Sequence, residues 1–217
     1  MSPEAGPVAE PVADVLGGHP VVSSQLRMHG LVWDVVTEVV RLPSGEEVTR
    51  DLVRHPSAVA ILALDDDDNA LVVHQYRHAV GATLWEVPAG LLDVHGEDPL
   101  ATARRELWEE THHHARSWAV LADMCTSPGY CDEALRIYLA RGVDRAEGEE
   151  HPRHGEERDM PVEWVPLDAL RDAVLAGRLH NPSIVVAVLA AVAARSAGWT
   201  TLRPADAPWS IGPRALR

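Results

Sequence analysis

An α/β fold assembled in layers is what this sequence predicts, and three observations carry it. Runs such as "SAVAILAL" and "EALRIYLAR" have the length and the aliphatic, β-branched character of strands. Two pairs, Asp98-Pro99 and Asn181-Pro182, mark helix starts: the first side chain caps backbone N–H groups and Pro suits the first helical position. Strands and helices come in mixed order, without a long doubly wound alternation, so an α/β or α+β sandwich of layers is expected.

The elements follow in order. Residues 1–20, "MSPEAGPVAEPVADVLGGHP", are rich in Pro, Ala and Gly and read as a loose tail; no basic stretch precedes an apolar one, so a secretory signal is not expected. From 21 to 56, "LVWDVVTEVVRL" and "EVTRDLVRH" flank the turn "LPSGEE" and predict a hairpin or a small strand layer. "SAVAILAL" and "LVVHQYR" flank "DDDDNA", read as a hairpin turn, because a calcium loop of the EF-hand type needs alternating ligands, a central Gly and a closing Glu that are missing. A loop after Pro88-Ala89-Gly90 leads to a helix over 99–112. "SWAVLADM" and "EALRIYLAR" predict strands around the loop "CTSPGYCD", and "RAEGEEHPRHGEERD" an exposed loop. "VEWVPL" predicts a strand, "DALRDAVLAG" a helix closed by Gly177, and Asn181-Pro182 a last helix to about Arg195, before a C-terminal tail at 199–217.

Composition narrows the function classes. With 217 residues, 46% hydrophobic and 24% charged, the chain can bury a core of its own. A formal charge of -14 argues against a nucleic-acid binder, which neutralises phosphates with clustered Lys and Arg. The longest apolar run, "IVVAVLAAVAA", has 11 residues, too few to span a bilayer, so no membrane partner is expected. Cys125 and Cys131 lack metal-ligand spacing and suit a reduced, cytoplasmic chain.

One stretch concentrates charge: "RRELWEE", residues 104–110. On a helix, Glu106, Glu109 and Glu110 share one edge, while Leu100, Ala103 and Leu107 turn towards another. Such an edge is either a solvated face balanced by Arg104 and Arg105 or a cation site. The context upstream bears on the choice: Gly90, six residues, Glu97, seven residues, then Arg105-Glu106-Leu107-Trp108-Glu109-Glu110-Thr111.

This spacing resembles the Nudix box, with two departures: one extra residue between Gly90 and Glu97, and His112 where the box has Gly. A loop absorbs the first. The second predicts a strained or rearranged helix end, since a left-handed residue there suits Gly and costs a side-chain-bearing residue about 1 kcal/mol. His112 to His114 could also be read as a transition-metal cluster, but consecutive residues do not share a face. Over roughly 22–197 the chain is similar to ADP-ribose pyrophosphatases of that superfamily, through "QYRHAVGATLWEVPAGLLD" and "SPGYCDEALRIYLAR" as well as the box.

The resemblance implies an α/β/α sandwich around a mixed sheet over 57–198, preceded by a dimerising strand layer at 21–56. It implies a hydrolase that cleaves a nucleoside diphosphate derivative, ADP-ribose to AMP and ribose 5-phosphate, with Mg²⁺ or alternatively Mn²⁺, acting as a homodimer. Glu106 and Glu110 would be direct metal ligands, Glu109 a direct or water-mediated one, and the Ala89 carbonyl another. Arg105 and Glu97 would hold loop and helix together, with Gly90 as the box glycine and substrate contact a second role for Arg105. Glu133 matches a loop glutamate acting as general base, with Asp132 as its rival. Arg77 would contact the diphosphate or terminal ribose phosphate; Glu86 matches a site position or a structural hydrogen bond. Arg50 and Asp51 fall on the strand that approaches the partner's adenosine pocket. Two alternatives stay open: another nucleoside diphosphate derivative as substrate, and a Nudix-fold protein that binds ADP-ribose without cleaving it.

Overall fold

The computed structural model describes residues 12–148, 151–153, 158 and 160–213. The expected tail therefore lies partly outside the described residues, and its part from 12 to 20 is exposed and without helix or strand. The expected loop from 145 to 159 also lies partly outside them.

Two sheets form. β1 (Val21–His29), β2 (Asp34–Arg41) and β3 (Glu47–Arg54) make an antiparallel sheet in the order β1-β2-β3. The β2–β3 turn closes with Gly45 N–H donating to Leu42 O at 2.9 Å, Gly45 taking φ 89°, where a side chain would be strained. The second sheet contains β4 (Ala58–Leu64), β5 (Asn69–Arg77), β8 (His113–Cys125), β9 (Ala134–Arg145), β10 (Val162–Pro166) and β11 (Arg203–Pro204), ordered β10-β5-β4-β9-β8-β11. β6 (Ala82–Glu86) pairs with β5, and β7 (Ala89–Leu91) with β4. β4 and β9 run parallel and every other pair antiparallel, so the sheet is mixed.

The central strands explain the layers. Ala58, Ala60, Leu62 and Leu64 of β4 join Leu135, Ile137 and Leu139 of β9 on one face. There they pack against α2 (Leu167–Leu175) and α3 (Pro182–Ser196) through Leu167, Leu170, Ile184 and Val188. Val59, Ile61 and Ala63 point the other way, with Tyr138 and Ala140, onto Ala103 and Leu107 of α1 (Pro99–Thr111). The strand period of two thus splits one apolar run between two cores, giving an α/β/α sandwich. Both expected helix caps form: Asn181 Oδ1 accepts from Ser183 N–H at 2.8 Å, and Asp98 Oδ1 from Leu100 N–H at 2.9 Å. Asp65 Oδ1 accepts from Asp67 and Asn69 N–H at 3.0 and 2.7 Å, making the acidic stretch a side-chain-stabilised hairpin turn.

The segment read as a C-terminal tail packs against the sheet as far as Pro213. It crosses the α1 face of the sheet: β11 pairs with β8 at Val120 and Ala119, and Ala205 and Ala207 pack on the core beneath α1. Arg136, 3% exposed, holds it down by donating to Ala207 O at 2.7 Å and Pro208 O at 3.1 Å, with its guanidinium 4.8 Å from the Trp209 ring centre. Asp123 neutralises Arg136 from β8 at 2.8 and 3.0 Å.

Candidate active site

α1 owes its orientation to its apolar side. Ala103 and Leu107 are fully buried against the sheet, which turns Glu106 and Glu110 towards β7. There β4 changes neighbour: Ala63 and Leu64 pair with β5, while Ala58 to Ala60 pair with β7. The chain around Pro88, Ala89 and Gly90 fills that split and meets the helix. Glu106 lies so close over Gly90 that a Cβ at residue 90 would sit 2.0 Å from its Cδ. Glu110, 5% exposed, accepts from Ala89 N–H at 3.1 Å.

Arg105 ties this edge to the preceding loop. It donates to both Glu97 oxygens, at 3.3 and 3.0 Å, and to Glu106 at 2.6 Å and Glu109 at 3.1 Å. Thr102 Oγ1 adds a bond to Glu97 at 2.8 Å. The hydrogen bonds from Arg105 hold the Glu97 carboxyl below the usual carboxylate range, and those to Glu97 hold the Arg105 guanidinium above its ordinary value. Among the described residues no three His, Cys, Asp or Glu side chains converge as a preformed cage. The helix carboxylates form instead an oxygen-only edge, neutralised by Arg105 beside a loop with no side chain at Gly90, and that donor set suits a hard divalent cation.

His112 caps α1 in the left-handed conformation, φ 58° and ψ 40°, with its N–H donating to Trp108 O at 2.8 Å. The helix end therefore keeps a geometry suited to Gly while carrying an imidazole, which is the strain expected from the sequence. The residue is 7% exposed, and among the described residues its Nδ1 has no hydrogen-bond partner. The next ring turns elsewhere: His113 Nδ1 lies 2.7 Å from Thr111 O, and burial holds its pKa below the ordinary value.

Glu133 lies across the sheet from β7, where Ala58 of β4 stands opposite both Leu91 and Leu135. Its Oε2 accepts from Thr126 Oγ1 at 2.5 Å and its Oε1 is 3.6 Å from His55 Nδ1. Among the described residues, none of its hydrogen bonds goes to α1. Asp132 is differently committed: Oδ2 accepts from Arg54 at 3.0 Å and Oδ1 from His55 N–H at 2.9 Å. Burial raises the Cys131 thiol, the opposite of what a nucleophile needs.

The family model for the NUDIX domain matches residues 54–185. The chain belongs to the Nudix family. It is 45% identical over 195 residues to an ADP-ribose pyrophosphatase of Mycobacterium tuberculosis, covering 90% of this chain and 93% of that protein. It is also 35% identical over 161 residues to a methanol dehydrogenase activator of Bacillus methanolicus, covering 73% and 84%. Among solved structures, an ADP compounds hydrolase superposes with a TM-score of 0.69 over 86% of this chain and 99% of the other. At 19% identity that likeness speaks for the fold alone. The enzyme class follows: the chain is a Nudix hydrolase.

On the Nudix frame the remaining predicted residues fall into two places. Arg77 of β5 and Glu86 of β6 are four residues out of register, opposite Ala82 and Val73, yet Arg77 Nε and Nη2 reach the two Glu86 oxygens at 2.8 and 2.7 Å. The Glu86 side chain is 3% exposed and Arg77 43%, so Glu86 orients a guanidinium that remains open to solvent. Arg50 and Asp51 stay on the N-terminal sheet, exposed; Asp51 accepts from Thr37 Oγ1 at 2.5 Å, and the Arg50 guanidinium donates to Thr49 O at 2.8 Å. Sequence reasoning passed over Arg54 and His55. Their neighbours Asp132 and Glu133 lie 77 or 78 residues downstream, and no local pattern announces that pairing.

Proposed function

We propose that the protein hydrolyses the pyrophosphate bond of ADP-ribose or a related nucleoside diphosphate sugar, giving AMP and ribose 5-phosphate from ADP-ribose. The observation that carries this is the Glu106 and Glu110 edge packed against Ala89 and Gly90. The Mycobacterium tuberculosis relative, aligned over nearly both whole chains, supports the substrate. A bound divalent cation, Mg²⁺ or alternatively Mn²⁺, would neutralise the diphosphate and acidify a water. Glu106, Glu110 and the Ala89 carbonyl would hold it, with Glu109 directly or through water. Arg105 and Glu97 keep loop and helix in register, and Arg77, aimed by Glu86, would grip a phosphate. Glu133 is the reading for the general base. Arg50 and Asp51 would reach a partner's adenosine pocket in a homodimer.

Purified protein with Mg²⁺ is expected to convert ADP-ribose to AMP. Glu106→Gln or Glu110→Gln should remove at least about 99% of turnover at nearly unchanged melting temperature. Full turnover in both variants would sink the metal assignment. Other nucleoside diphosphate sugars, a dinucleotide cofactor and a nucleoside triphosphate belong in the same panel, because the helix edge and its cation would serve any diphosphate. Tight ADP-ribose binding without AMP release over hours would instead mark a binding protein.

A further inference from the structure

The side of the sheet away from α1 carries a cavity of about 310 Å³, at the lower end of what small-molecule sites offer. Ala169 and Ala173 of α2 stand one turn apart and, being small, leave the space. Leu170 and Leu179 line it from the core, and Trp85 of β6 and Val165 of β10 from the sheet. Trp85 is held by His74, its partner across β5 and β6, with ring centres 3.6 Å apart. The one charged residue in the lining is Arg178, just past α2. There the helix ends with Gly177 N–H donating to Val174 O at 3.0 Å and Arg178 N–H to Ala173 O at 2.9 Å, a closure that Gly177 permits at φ 65°. Leu179 is buried next to it, so the Arg178 backbone is fastened on both sides.

We propose that this cavity, separate from the α1 edge, binds a small amphipathic anion: a flat apolar body against Trp85, Val165 and the alanine side of α2, with a single acidic group at Arg178. The Arg178 guanidinium is exposed, and among the described residues it has no hydrogen-bond or ion-pair partner. No carboxylate is among the described residues that line the cavity, although the chain has 33 Asp and Glu against 19 Lys and Arg. The acids of α2 are taken up elsewhere: Asp168 and Asp172 lie 2.6 and 2.8 Å from Arg171, and Glu163 of β10 lies 3.4 Å from His74 Nε2. An anion therefore meets one guanidinium and no like charge in the lining. The apolar remainder decides the rest of the ligand. An aromatic or aliphatic body gains by leaving water there, whereas a diphosphate or nucleotide would bring charges and polar groups that this lining cannot match.

Two fluorescent dyes of one shape test this on the full chain: anilinonaphthalene sulfonate, and N-phenylnaphthylamine, which lacks the charge. The sulfonate is expected to bind at least about fivefold more tightly than the uncharged dye, the size of one charge-assisted contact. Arg178→Gln should erase that difference. Ala169→Phe, at an exposed position of α2, should fill the cavity and weaken both dyes about tenfold or more, with an unchanged circular dichroism spectrum. Equal sulfonate affinity in wild type and both variants would place the dye elsewhere, such as on the exposed β1, and overturn the proposal. Tighter binding of the uncharged dye by wild type would overturn the anionic class. Displacement of the sulfonate by ADP-ribose without metal would make the cavity part of the substrate site, and dye binding that weakens as protein concentration rises would give it to a second copy; either result overturns the proposal too.

Discussion

A methyl group at residue 90 would land 2.0 Å from the Glu106 Cδ, well inside van der Waals contact. Gly90→Ala therefore moves the carboxylate, the loop, or both, and about a 100-fold loss of turnover is expected. The fold should survive, because the clash is with a side chain on the rim of the core; circular dichroism beside the activity assay checks both halves. His112 carries the opposite expectation. Its left-handed backbone and partnerless buried Nδ1 each cost about 1 kcal/mol or more, against the burial gained by the ring and the chain entropy that Gly would bring to the unfolded state. His112→Gly should raise stability by about 1 kcal/mol in urea unfolding, and a clear loss would show that the ring's packing outweighs its strain. Glycine and histidine were both visible in the sequence at these positions. Only the approach of Glu106 to Gly90 needed the fold, because that distance is set by where β4 exchanges β5 for β7.

At the scale of elements, α1 and α3 were legible because Asp98-Pro99 and Asn181-Pro182 are local signals that the backbone answers locally. β6, β7 and the C-terminal crossing were not. β7 has three residues and β11 two, so neither shows a period, and each exists through a partner far away in sequence. The first residues of β8 lie ahead of the expected strand "SWAVLADM" for the same reason: His113 and His114 pair with Arg145 and Asp144 of β9. The loop before α1 is held by Glu97, whose carboxyl Arg105 keeps below its ordinary range. A depressed carboxylate contributes stability that is full above its unfolded pKa, near 4.3, and disappears as pH falls through the folded value. Melting temperatures taken downwards from pH 6 should thus fall further in wild type than in Glu97→Gln. Parallel curves would show that the ion pair contributes nothing to folding.

The whole molecule presents one surface that a single chain leaves uncovered. Every residue of β1 is exposed, including Leu26 at 56% and Met28 at 46%, and Leu31 and Trp33 in the following turn are exposed as well. A three-stranded sheet with that much apolar area in water is weakly stable by itself and invites a cover. The homodimer proposed above would supply one, and it would bring Arg50 and Asp51, whose side-chain bonds among the described residues stay within their own sheet, to the partner's substrate. The charge of -14 would make such help useful: an acidic protein repels a diphosphate, so under the proposed function the substrate would depend on a cation at the α1 edge and on placed guanidinium groups such as Arg77. Leu26→Asp with Met28→Asp should therefore shift the protein from dimer to monomer in analytical ultracentrifugation. KM for ADP-ribose should rise about tenfold or more, while the α1 edge and its cation affinity remain. A wild-type protein that sediments as a monomer at micromolar concentration would refute the dimer. An undiminished KM in a monomeric variant would confine the substrate site to one chain and leave Arg50 and Asp51 without a role in it.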